Sequence, residues 1–100
     1  MLNSGTNRFY GLQATVRKFL FFTKKYRAVC EESNGSPKEA LEELFKQIPE
    51  ADKKRATYQA FIQTVEVFGW KDGKPICNFH EPTWWRVWDY ATLMEKAKGW

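Results

Sequence analysis

Cys77-Asn78-Phe79-His80 sets a thiol and the chain's single imidazole three residues apart, a spacing at which one turn can offer two ligands to zinc. A closed zinc site needs four, and Cys30 and Glu81 could complete it only if the fold brought residue 30 to this turn. Cys77 and His80, with Glu81 or Asp89 to orient the imidazole, also form the one nucleophile, base and acid set that the sequence offers. His80-Glu81 opens the helical metalloprotease motif, but Trp84 stands where the second histidine belongs. Lys71-Asp72-Gly73-Lys74 reads as a turn and not as a phosphate cradle. The sequence therefore predicts no metal, no cofactor and no enzyme. A small enzyme or metal-dependent protein using Cys77 and His80 is the alternative.

The stronger chemistry is charge. Residues 1–30 carry Arg8, Arg17, Lys18, Lys24, Lys25 and Arg27 with no acidic residue, so this third of the chain is +6 while the remaining seventy residues sum to −2. Polarised charge is an argument about partners. Phe21 lies among these cations, where a purely solvating face has no use for it. Of the five tryptophans, Trp84, Trp85 and Trp88 are clustered. In a helix Trp84 and Trp88 share the apolar side with Val87, while Trp85, next to Arg86, points away as a candidate anchor, Trp and Arg being enriched at interface hot spots. The candidate binding set is thus Arg17, Lys18, Phe21, Lys24, Lys25, Arg27, Trp85 and Arg86.

The elements that position these groups read mainly as helices. Leu12, Val16, Phe19, Leu20, Tyr26, Val29 and Cys30 fall near helical spacing with the cations opposite them, which predicts an amphipathic helix of about twenty residues. A hairpin competes there, because Phe, Tyr, Val and Thr abound, yet Thr23-Lys24-Lys25 lacks the Gly, Asn or Asp of a tight turn. Ser36-Pro37-Lys38-Glu39 is a helix-start signature, and Ala40, Leu41, Leu44, Phe45 and Ile48 continue it until Pro49. Tyr58, Phe61, Ile62, Val65 and Phe68 suggest a third helix closed by Gly69, although residues 64–70 could be a strand turning at Asp72-Gly73 into Pro75 to Phe79. A fourth helix runs from near Pro82 through Trp84, Val87, Trp88, Ala91 and Met94.

With 43% hydrophobic residues, 17% aromatic residues and 100 residues in all, the chain makes one domain over 1–100, with 1–6 as a flexible tail. The expected fold is a small bundle of about four helices with a short hairpin near Asp72-Gly73, an α+β arrangement being the alternative. Two cysteines and no apolar run long enough to span a bilayer place it in the cytoplasm. The expected function is non-enzymatic. A basic helix face docks on an anionic macromolecule, either an acidic protein face or nucleic-acid phosphates, and acts by occlusion or tethering. A homodimer that buries the aromatic stripe is a further expected partner arrangement.

Overall fold

A computed structural model describes residues 4–100 and overturns the helical reading: 51% of them lie in strands and 26% in helices. β1 (Gly5–Arg17) is the central strand, paired antiparallel on one side with β2 (Thr23–Glu31) and on the other with β3 (Thr57–Lys71). The outer edge of β3 is shared. Its first half, Tyr58 to Ile62, pairs with β5 (Thr83–Trp88), and its second half, Val65 to Lys71, pairs with β4 (Lys74–Phe79). The result is one curled antiparallel sheet with three short helices, α1 (Lys38–Gln47), α2 (Glu50–Lys53) and α3 (Tyr90–Ala97).

Alternation explains why the first thirty residues are not a helix. Leu12, Ala14 and Val16 are fully buried between Gln13, Thr15 and Arg17, and Tyr26, Ala28 and Cys30 are buried between exposed Lys25, Arg27 and Val29. Period two places each apolar set on one face of a strand. These even-numbered residues, joined by Tyr58, Ala60 and Trp88, make one core with Ala40, Leu41 and Leu44 of α1 and Leu93 of α3. The odd-numbered strand residues occupy the opposite face, outside that core.

β3 also defeats the helical expectation, because it buries residues on both faces. Tyr58 and Ala60 join the main core while Phe61, Val65 and Val67 are buried on the other side. A strand buried on two faces has no clean period and can mimic helical spacing. Asp72 and Gly73 both adopt positive φ, 53° and 77°, and close the β3–β4 hairpin where the Asp-Gly pair placed a turn.

The segment expected to be a fourth helix is strand β5, and a helix begins only after it. Asp89 caps α3 by accepting a hydrogen bond from the Thr92 N–H at 2.8 Å, which holds its carboxyl below the usual range. At the start of α1, Ser36 Oγ accepts from the Lys38 N–H at 3.4 Å, and Glu39 is bonded by Asn34 at 2.9 Å. Of the expected N-terminal tail, residues 1–3 lie outside the described residues, while Gly5 and Thr6 pair with Val67 and Glu66. No helix among the described residues is long and apolar enough to cross a membrane.

Candidate functional site: the β1–β2 hairpin and the open sheet face

β1 and β2 end in a loop closed by the Lys18 N–H donating to the Phe22 carbonyl at 2.9 Å and the Phe22 N–H donating to the Phe19 carbonyl at 3.3 Å. These two bonds close the turn, and the side chains between them face solvent. Phe19, Leu20, Phe21 and Phe22 are 76, 86, 91 and 68% exposed. Four consecutive large apolar side chains in water are a strong departure from the scattered exposure of an ordinary surface. Exposed Arg17, Lys24 and Lys25 surround them in sequence.

The cations do not form the single stripe that a helix would have given. Alternation along β2 sends Lys24 to the helix-bearing side, with Nζ 5.1 Å from the Tyr26 ring centroid, and Lys25 and Arg27 to the open side. Lys18 is neutralised: its Nζ lies 2.6 Å from Oδ2 of Asp52, a buried carboxylate that Arg55 also approaches at 3.6 Å. Arg55 Nη2 further donates to the Arg17 carbonyl at 3.0 Å, which ties the base of the hairpin to α2. Five expected cations thus resolve into a tip set of Arg17, Lys24 and Lys25, a buried-acid partner in Lys18, and Arg27 in a site of its own.

That site crosses the open face along one row of the sheet. Val29, Gly11, Phe61 and Trp84 are register partners in succession. The Phe61 ring lies directly over Gly11, where a Cβ would fall 2.0 Å from Cζ of the ring, so only glycine admits this arrangement. Phe61 meets Trp84 at 4.7 Å between centroids. The Arg27 guanidinium lies 5.1 and 5.2 Å from these two centroids, cation–π distances, while its Nε and Nη2 donate to Gln13 Oε1 at 3.2 and 2.7 Å. A groove of about 430 Å³ beside it is lined by Phe9, Val29, Gln63, Val65 and Phe79. Sequence reasoning assigned Trp84 to the core and passed over Gly11, Gln13 and Phe61. The one available signal was the small residue in an otherwise bulky alternating strand.

Trp85 and Arg86 sit elsewhere. A register shift between Gln59 and Ala60 bulges β5 at Arg86, whose φ is 42°. The bulge puts Trp85 with Trp88 on the helix-bearing side and Trp84 alone on the open side, reversing the expected partition. Neither Trp85 nor Arg86 belongs to the hairpin surface.

The thiol and imidazole are not brought together. Cys77 pairs with Val67 on the open side, whereas His80 Nε2 reaches Glu66 Oε1 at 2.5 Å on the other. Cys30 is buried in β2, separated from β4 by two strands, and burial pushes its thiol up from the ordinary range. Among the described residues no three His, Cys, Asp or Glu side chains cluster as metal ligands. No known protein family, curated protein or solved structure matches this chain.

Proposed function

We propose that this protein is a non-enzymatic binding module that inserts the tip of the β1–β2 hairpin into an apolar pocket on an acidic protein face, occluding or tethering that partner. The observation that carries this reading is the row Phe19 to Phe22, 68 to 91% exposed and flanked by Arg17, Lys24 and Lys25. An apolar centre inside a charged rim is the anatomy of a protein interface in miniature. Fully burying one such side chain is worth about 1.5–3 kcal/mol, enough for a few of them to dominate a complex. The rim cations favour encounter with an acidic face and exclude basic ones.

The test is capture from the native source with wild-type protein, Phe21→Ser and Lys24→Glu/Lys25→Glu, each with and without nuclease, followed by affinity measurement on the purified partner. Phe21→Ser should weaken binding by roughly tenfold or more at any salt, and the charge reversal chiefly at low salt. Equal affinity of all three would reject the hairpin tip as the contact. Partly exposed Trp84 beside the Arg27 guanidinium favours a second reading, single-stranded nucleic acid stacked on the open face. Nuclease-sensitive capture abolished by Trp84→Ala would select it over the first.

A further inference from the structure

On the helix-bearing side, away from the hairpin tip, a cavity of about 520 Å³ opens between the sheet, the start of α1 and the end of α3. Five aromatic residues, Tyr10, Phe61, Trp85, Trp88 and Trp100, line it together with Pro37, and Lys96 is its one charged residue. None of the lining residues is acidic. Lys96 Nζ lies 5.6 Å from the Trp88 ring centroid. The Trp88 side chain is only 6% exposed, and its Nε1 is the one buried side-chain polar atom among the described residues that has no hydrogen-bond partner.

We infer that this cavity binds a small planar aromatic molecule carrying an anionic group. A lining so rich in aromatic residues suits a flat apolar body, because aromatic pairs gain energy beyond the area they bury. The volume lies in the range of small-molecule sites. Lys96 is the one charged residue of the lining, so an anionic group is favoured there over a cationic one. An anionic group carried on such a molecule would pair with the exposed Lys96 ammonium at the mouth of the cavity. The β5 bulge at Arg86 is what builds the site, since without it Trp85 and Trp88 would face opposite sides of the sheet.

The experiment follows the five indole N–H signals in nitrogen–proton correlation spectra, assigned by single Trp→Phe variants, while 1-naphthoate is titrated into the full chain. The neutral analogue 1-naphthalenemethanol serves as the control. Saturable shifts confined to Trp85, Trp88 and Trp100, with the alcohol binding roughly tenfold more weakly, are expected. Lys96→Met, at an exposed position of α3, should reduce naphthoate to the affinity of the alcohol. The inference is overturned by absence of shifts at millimolar probe, by equal shifts at Trp70 and Trp84, or by equal binding of acid and alcohol. An adventitious hydrophobic contact would give one of the last two patterns. The cavity shares no residue with the hairpin tip, so either proposal can fail without the other.

Discussion

Gly11 is the residue on which the open face depends. Its missing Cβ is the space occupied by the Phe61 ring, and that ring is the platform for Arg27 and Trp84. Gly11→Ala should therefore destabilise the fold by about 1–3 kcal/mol, the usual cost of overpacking a filled site. The same substitution should cost little in a Phe61→Leu background, where the ring no longer lies over the strand. Urea unfolding of the two single variants and the double variant measures this coupling, and an identical cost in both backgrounds would separate Gly11 from Phe61. At this scale the sequence was partly legible. The charge of Arg27 is plain in the sequence, but its aromatic partners Phe61 and Trp84 come from strands 34 and 57 residues away, and no local pattern encodes such a meeting. Lys18 was singled out for the same charge and is instead consumed by buried Asp52.

Among elements, the join between α2 and β3 is held by Tyr58, whose hydroxyl donates to the Lys53 carbonyl at 2.6 Å from a fully buried position. Burial, with a smaller contribution from nearby Tyr90, pushes its pKa up to about 12. The unfolded phenol titrates near 10, so the native state holds the proton more tightly. This stabilisation is fully present below pH 10 and is lost as pH rises toward 12, by roughly 2–3 kcal/mol. Urea unfolding of wild type against Tyr58→Phe over pH 9 to 12 checks it: the wild-type stability should fall more steeply, while the variant is about 1 kcal/mol weaker at neutral pH through the lost hydrogen bond. Parallel curves would show that Tyr58 does not titrate from the core. The elements best read from sequence were those with local chemistry, namely α1 after Ser36-Pro37 and the Asp72-Gly73 turn. Strands β1, β2 and β5 carry apolar residues three and four apart that fit a helical period only when intervening residues such as Ala14, Thr15 and Ala28 are left out. Small and polar residues that complete a period of two carry as much information as the large ones.

At the scale of the whole molecule, charge and shape divide the labour. The chain measures 42 × 33 × 22 Å with a radius of gyration of 15.1 Å, above the roughly 13 Å of a compact hundred-residue domain. Antiparallel registry puts the Phe19 to Phe22 tip beside Thr57 at one end of the sheet and the Asp72-Gly73 turn at the other. That length is several times the screening distance of about 8 Å at physiological salt, so the two ends act on a polyanion independently. Lys24→Glu/Lys25→Glu and Lys71→Glu/Lys74→Glu both bring the net charge from +4 to zero. If net charge alone governs attraction, the two variants leave a heparin column at the same salt concentration. If the hairpin end is the docking surface, the first elutes well before the second, which stays close to wild type. Identical elution would mean that the concentration of positive charge in the first thirty residues has no counterpart in how the folded molecule meets an anionic surface.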